Sequence, residues 1–150
     1  MKRDMEAGKR GGSGRLLIVD DDATARLVLA AMVEECGVEV AFACDGGDAK
    51  RRMEAVNPDV VVCDFMMDDM RGDELSRWMK SHEKWRFVPV VAVTQLDNPI
   101  LSADLIASGA DSVVTKTEAP RTLSAHVMAA LRLRRQYTLA AERGESIRRQ

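Results

Sequence analysis

Short aliphatic runs alternate with segments of helical periodicity along most of this chain, and this alternation constrains the fold more than any other feature. The aliphatic runs are too short for helices and rich in β-branched residues, which is typical of strands buried on both faces. The predicted strands are residues 16–19, 38–43, 60–63, 88–93 and 112–115.

Each predicted strand is followed by a segment whose apolar residues recur at helical spacing. The predicted helices are residues 24–36, 46–56, 73–82, 99–108 and a last helix that begins at Pro120. Strands and helices that alternate in this way predict an α/β protein, in which a doubly wound parallel sheet is covered by helices on both faces.

The last helix is longer than the sheet requires, because helical composition continues to Arg143, just before Gly144. This surplus is compatible with a linker to a further domain, an arm that pairs with a second copy, or a frayed tail. We therefore expect a flexible Gly-rich leader over residues 1–14, one domain over residues 15–134 and a helical extension or linker over residues 135–150.

Composition indicates a globular protein, since 46% of the 150 residues are hydrophobic and 31% are charged. No apolar run approaches the roughly 20 residues of a membrane helix, and the polar start does not resemble a secretory signal. We therefore expect a cytoplasmic protein without a membrane contact.

The net charge of −2 is unevenly distributed along the chain. Residues 1–15 carry +3 and residues 132–150 carry +4, which leaves −9 on residues 16–131. An acidic body argues against nucleic-acid binding by the domain itself.

Polar side chains follow four of the predicted strands, at the point where each strand ends. They are the acids Asp20, Asp21, Asp22 and Asp64, the hydroxyl residue Thr94 and the ammonium residue Lys116. In a doubly wound sheet the binding crevice lies beyond the carboxyl ends of the strands, so we expect these groups to converge there. Carboxylates this close repel one another unless a cation lies among them, and Mg²⁺ prefers such oxygen ligands.

This grouping is typical of a metal-assisted phosphoryl acceptor. A carboxylate can act as a nucleophile and form an aspartyl phosphate. The transition state spreads charge over the phosphoryl oxygens, and Mg²⁺, the Lys116 ammonium and the Thr94 hydroxyl can each stabilise one of them.

The same residues resemble the receiver domains of two-component response regulators over about residues 15 to 134. The motifs that carry the resemblance are Asp20-Asp21, Asp64-x-x-Met67-x-x-Met70-x-Gly72, Thr94 and Lys116. Each motif alone is weakly specific, whereas all of them in this order are strongly specific. The resemblance implies a flavodoxin-like fold with five parallel strands in the order 2-1-3-4-5 and five helices.

The resemblance also implies a role for each residue. Asp64 is expected to accept the phosphoryl group, Thr94 to act as the switch hydroxyl and Lys116 to clamp the phosphate. The expected ligands of Mg²⁺ are Asp21 directly, Asp20 largely through water, Asp64 and the backbone carbonyl of Met66.

The implied phosphodonor is a sensor histidine kinase, a histidine phosphotransfer protein or a small acyl phosphate. Phosphorylation would then switch contacts with a downstream protein or a fused effector domain, and a homodimer is one possible partner arrangement. Such a domain catalyses only its own phosphorylation and dephosphorylation.

Four positions depart from the family pattern. Asp68 replaces the usual proline after Met67, Gln95 replaces a small residue, Val113 replaces the switch aromatic, and Thr117 replaces a proline in a cis bond. We therefore expect intact phosphorylation chemistry with an altered relay, and we expect Gln95 to shield the site and slow phosphodonor entry.

Two further positions control the lifetime of the phosphoryl group in this family. They are Met66 and Leu96 in this chain, and neither can orient an attacking water by hydrogen bonding. The sequence therefore predicts slow self-dephosphorylation.

Two alternatives remain open at this point. Residues 20–24 also fit the D-x-D-x-T motif of haloacid-dehalogenase-like phosphatases, which would make Asp20 the nucleophile. Those enzymes place an acidic pair after the lysine, whereas only Glu118 follows Lys116 closely here. The other alternative is a degenerate receiver that acts only as an interaction module, and phosphorylation of Asp64 discriminates it from a working switch.

Overall fold

The computed structural model describes residues 14–95 and 98–144. Within them, five parallel strands form one sheet in the order β2-β1-β3-β4-β5, which confirms the expected doubly wound, flavodoxin-like topology. The strands are β1 (Arg15–Val19), β2 (Glu39–Ala43), β3 (Val60–Asp64), β4 (Val90–Thr94) and β5 (Ser112–Thr115).

Five α-helices are present in the described ranges and connect or follow the strands. They are α1 (Ala23–Met32), α2 (Gly46–Val56), α3 (Gly72–Ser81), α4 (Pro99–Ala107) and α5 (Ala119–Arg143). None of these helices is both long and apolar enough to cross a membrane. Leu96, residues 1–13 of the expected leader and residues 145–150 of the expected extension lie outside the described residues.

The core has two main layers because successive residues of a strand point to opposite faces of the sheet. On β1, Leu16 and Ile18 pack with residues of α1 and α5, whereas Leu17 and Val19 pack with residues of α2 and α3. Every residue of the central strand β3 is buried, which explains its nearly continuous apolar sequence.

The first helix ends earlier than its apolar spacing predicted. The α-helix stops at Met32, Val33 has a ψ angle of 9°, and a 3₁₀ turn covers Glu34–Cys36. Val33 and Cys36 still pack against the core, as their apolar spacing predicted, although they lie beyond the end of the α-helix. Gly37 follows with a φ of 69°, a left-handed conformation that glycine adopts readily.

Helix α5 runs well past the sheet, as its composition predicted. Beyond the core it contacts the rest of the domain through Tyr137 and Arg134. The Tyr137 ring lies 5.2 Å from the Phe87 ring, and the Arg134 guanidinium lies 3.7 Å from the Asp59 carboxylate. Gly144, with a φ of 69°, follows the last helical residue. Helix α5 is therefore held near the amino ends of the strands at Arg134 and Tyr137, because Asp59 precedes β3 and Phe87 precedes β4.

Candidate functional site

A polar cavity of about 440 Å³ opens at the carboxyl ends of β1, β3, β4 and β5. It is lined by Asp20, Asp21, Asp22, Asp64, Met66, Thr94, Gln95 and Lys116. The acidic, hydroxyl and ammonium residues that follow the predicted strands therefore meet in one cavity, at the edge of the sheet where a doubly wound topology has its binding crevice.

The turn after β1 carries two of the carboxylates and is fixed by its own hydrogen bonds. Asp20 is only 1% exposed, and its Oδ1 accepts a hydrogen bond of 2.9 Å from the Asp22 amide. Asp22 in turn caps α1 by accepting from the Thr24 amide. The Arg26 guanidinium donates a 2.6 Å hydrogen bond to the Asp20 carbonyl. Nothing in the sequence singles out Arg26 except its position near the start of α1.

Three carboxylates form an acidic cluster, which we define as Asp20, Asp21 and Asp64. Each offers an oxygen that lies within 4.8 Å of the others. Asp20 and Asp64 are buried and Asp21 is exposed, so the cluster can be reached from solvent on one side. Carboxylates held this close favour a bound cation, and three hard oxygen donors fit Mg²⁺.

Asp64 ends the central strand and has an unusual acidity. Burial and the neighbouring Asp20 charge raise its pKa to about 6, although Lys116 opposes this shift. The Met66 amide also donates a hydrogen bond to the Asp64 carboxylate and so favours its charged form. A carboxylate with a perturbed pKa that lines an accessible cavity is a candidate functional residue.

Lys116 supplies positive charge beside the two buried carboxylates of the cluster. Its Nζ lies 3.5 Å from Asp20 Oδ2 and 3.8 Å from Asp64 Oδ1. Its backbone amide donates a 2.7 Å hydrogen bond to the carbonyl of Thr94, the last residue of β4. Lys116 and Thr94 are therefore fixed relative to each other by the pairing of β4 with β5.

Thr94 and Gln95 differ in their exposure to solvent. Both residues line the cavity, but Thr94 is 1% exposed whereas Gln95 is exposed. The hydroxyl residue is therefore buried and the larger amide residue is open to solvent.

Val113 stands on β5 where the family pattern has an aromatic residue, and it packs into a small separate cluster. That cluster contains Phe65, Ala92, Leu101, Leu105, Ala110 and Val113. Its aromatic ring comes from Phe65, the residue after Asp64, and the Arg71 guanidinium lies 5.5 Å from the centre of that ring. The resemblance places the aromatic residue on β5, and nothing in the sequence singles out Phe65.

Gly72 closes the loop between β3 and α3 against the end of β3. A Cβ at this position would lie 2.7 Å from the Asp64 carbonyl oxygen, so a larger residue does not fit without a backbone shift. The Gly72 amide also donates a 2.7 Å hydrogen bond to the Phe65 carbonyl. The glycine of the quoted motif is therefore required by the close approach of two backbone segments.

Comparison with known families agrees with this geometry. The family model described as the response regulator receiver domain matches residues 16–128. The chain therefore belongs to the family of receiver domains of two-component response regulators.

The chain covers different shares of two curated relatives. The alkaline phosphatase synthesis transcriptional regulatory protein PhoP of Bacillus subtilis (strain 168) is 31% identical over 118 residues, which cover 79% of this chain and 48% of that protein. The CAI-1 autoinducer sensor kinase/phosphatase CqsS of Vibrio cholerae is 31% identical over 103 residues, which cover 68% of this chain and 15% of that protein. The chain thus spans about half the length of the first relative and much less of the second.

Solved structures of receiver domains have the same fold. The receiver domain of the Francisella response regulator 1452 matches with a TM-score of 0.72 and 26% identity, over 79% of this chain and 97% of that one. The Vibrio cholerae chemotaxis protein CheY4 matches with a TM-score of 0.73 and 26% identity, over 79% of this chain and 99% of that one.

Proposed function

We propose that this domain is a phosphorylation switch that takes a phosphoryl group from phosphohistidine onto Asp64 in a Mg²⁺-dependent reaction. The observation that carries the proposal is the convergence of the acidic cluster with Lys116 and Thr94 in one solvent-accessible cavity. The donor would be a sensor histidine kinase or a histidine phosphotransfer protein, and acetyl phosphate can replace it in the laboratory.

In the proposed reaction, a carboxylate oxygen of Asp64 attacks the phosphorus atom. The bond between phosphorus and the histidine nitrogen breaks, and its electron pair stays on the imidazole. Lys116 is in place to donate to a phosphoryl oxygen through its ammonium group, and the Thr94 hydroxyl to another. These donors balance the charge that spreads over the phosphoryl oxygens.

The groups expected to hold Mg²⁺ are Asp21, Asp64, the Met66 carbonyl and, largely through water, Asp20. The ion would supply positive charge to the carboxylates and to the phosphoryl group. The raised pKa of Asp64 supports this assignment, because burial and the Asp20 charge disfavour the anion that has to act as nucleophile.

The output of the switch is expected to be a change in protein contacts, either with a separate protein or with a fused effector domain. One relative is described as a transcriptional regulatory protein and another as a sensor kinase/phosphatase, and both are longer than this chain, which supports the fused arrangement. We propose residues 15–134 as the receiver and residues 135–150 as a helical extension or linker, in a protein of the cytoplasm. A homodimer through this extension is a further arrangement to test.

Family membership argues against the haloacid-dehalogenase reading, in which Asp20 is the nucleophile. The interaction-module reading is decided by one experiment: the protein is incubated with acetyl phosphate and Mg²⁺, and its intact mass is measured. We expect one added phosphoryl group, which is lost in Asp64→Ala and when the metal is chelated. Mg²⁺ binding without any mass gain would favour the interaction module instead.

A further inference from the structure

The loop between β3 and α3, residues 65–71, contains a carboxylate that is turned away from the reaction chemistry. Asp69 Oδ1 accepts a 3.0 Å hydrogen bond from the Gly46 amide, and Asp69 Oδ2 accepts a 2.8 Å hydrogen bond from the Gly47 amide. We propose that Asp69 is a positioning residue, which holds this loop against α2 and thereby sets the Mg²⁺ affinity of the acidic cluster.

The two amides belong to the first turn of α2, where helical backbone N–H groups lack partners within the helix. The cap residue Asp45 accepts from the next amide, that of Asp48, at 2.7 Å. Asp69 thus completes a cap that local residues fill only in part. A carboxylate at a helix amino terminus is also stabilised by the helix dipole, so the contact is directional and charge-assisted.

An apolar contact holds the same part of the loop. A Cβ at Gly46 would overlap Cγ of Met70, so the Met70 side chain lies directly on the glycine backbone. One side of the loop is therefore fixed to α2 by two adjacent residues, Asp69 through hydrogen bonds and Met70 through packing.

The other side of the loop is attached to the site itself. The Gly72 amide donates to the Phe65 carbonyl at 2.7 Å, and the Met66 amide donates to the Asp64 carboxylate. Met66, whose carbonyl is a proposed Mg²⁺ ligand, lies three residues before Asp69. A loop released from α2 would keep these two bonds near Asp64 but lose its attachment to the helix, so the Met66 carbonyl would be less firmly positioned.

This inference rests on the proposed function to the extent that it takes the acidic cluster as a Mg²⁺ site. Residues that orient metal ligands typically change metal affinity about 10- to 100-fold when they are replaced. Because Asp69 acts through the backbone, we expect the lower end of that range.

Asp68 offers a matched control. It is the adjacent acidic residue and is exposed, and within the described ranges it makes no hydrogen bond or ion pair. Asp68→Asn therefore removes the same charge from the same loop without touching α2.

The test compares wild type with Asp69→Ala, Asp69→Asn and Asp68→Asn by calorimetric titration with Mg²⁺, at a temperature where circular dichroism shows each protein folded. We expect affinity to fall roughly 10-fold in Asp69→Ala and less in Asp69→Asn, which keeps one acceptor oxygen. Asp68→Asn should change it less than about 2-fold, because salt screens an exposed charge. With acetyl phosphate, the Asp69 variants should approach the wild-type phosphorylation rate when Mg²⁺ is saturating.

Unchanged Mg²⁺ affinity in both Asp69 variants, even with a lowered melting temperature, would show a merely structural cap and overturn the inference. An equal loss in Asp68→Asn would overturn it as well, since net charge alone would then explain the effect. Neither of these results would contradict phosphorylation of Asp64. Conversely, a wild type that binds Mg²⁺ but takes no phosphoryl group contradicts the proposed function, while a selective affinity loss in the Asp69 variants still supports the positioning role.

Discussion

The Lys116 ammonium lies 3.8 Å from the Asp64 carboxylate, and its backbone amide is bonded to the carbonyl of Thr94. The cation, the proposed acceptor and the proposed switch hydroxyl are thereby connected through the ends of β3, β4 and β5. A change at any one of these residues is expected to alter the environment of the other two.

Lys116→Ala is expected to slow phosphorylation by acetyl phosphate roughly 100-fold, because a donor to the developing phosphoryl charge is lost. It should also raise the pKa of Asp64 further, since Lys116 counteracts the effects of burial and of Asp20. The rate is measured as mass gain over time at saturating Mg²⁺. Lys84→Ala is the control, because Lys84 pairs with Glu54 on the surface. Equal rates in wild type and Lys116→Ala would contradict the clamp role.

The metal-free protein is expected to lose stability as pH rises. Burial and Asp20 raise the Asp64 pKa from 3.8 to about 6 in the folded state, so the folded state binds this proton more tightly. The stabilisation that comes from this bound proton is complete below about pH 4 and is lost as pH rises through about 6. Urea unfolding across this range should show a decrease of at most about 3 kcal/mol from this group, because one pKa unit corresponds to about 1.4 kcal/mol.

Asp64→Asn is the matched variant for that measurement, because it keeps the shape of the side chain and removes the titrating group. We expect it to lack this part of the pH dependence and to exceed the metal-free wild type in stability at pH 7.5. If both proteins followed the same pH profile, Asp64 would not be the group responsible.

Gln95→Ala is expected to increase the phosphorylation rate several-fold, because Gln95 lines the cavity, is exposed, and is larger than the small residue usual in the family. The measurement is the initial rate at several acetyl phosphate concentrations. Gln136→Ala, which changes an exposed glutamine on α5, is the control. A rate equal to that of wild type would exclude a shielding role.

Met66→Asn is expected to shorten the lifetime of the phosphorylated state about 10-fold, because an amide can orient an attacking water and a thioether cannot. Met66 is 60% exposed at the cavity, so the substitution is not expected to disturb the core. Decay is followed by intact mass after removal of the phosphodonor. Met128→Asn changes a methionine that is 46% exposed on α5 and should decay like wild type. A slow decay in Met66→Asn would argue that this position does not control water access.

The sheet and the position of the site could be predicted from the sequence, because both depend on patterns that are local in the chain. The buried run ending at Asp64 identifies a central strand, and parallel strands bring their carboxyl ends to one edge. Contacts between distant segments leave no such pattern. Nothing near Asp69 indicates that Gly46 and Gly47 will be its partners, and the ending of α1 at Met32 depends on backbone geometry that apolar spacing does not specify.

Helix α5 connects the edge of the sheet that carries the site with the opposite edge. It begins two residues after Thr117, next to the end of β5 that carries Lys116, and contains 25 residues. At 1.5 Å per residue it is about 37 Å long, and Arg134 and Tyr137 lie about 22 and 27 Å from its start. Their contacts with Asp59 and Phe87 hold the helix there. If the start of the helix moved with Lys116, these contacts would therefore act as a pivot, and the end beyond Tyr137 would move less than the start.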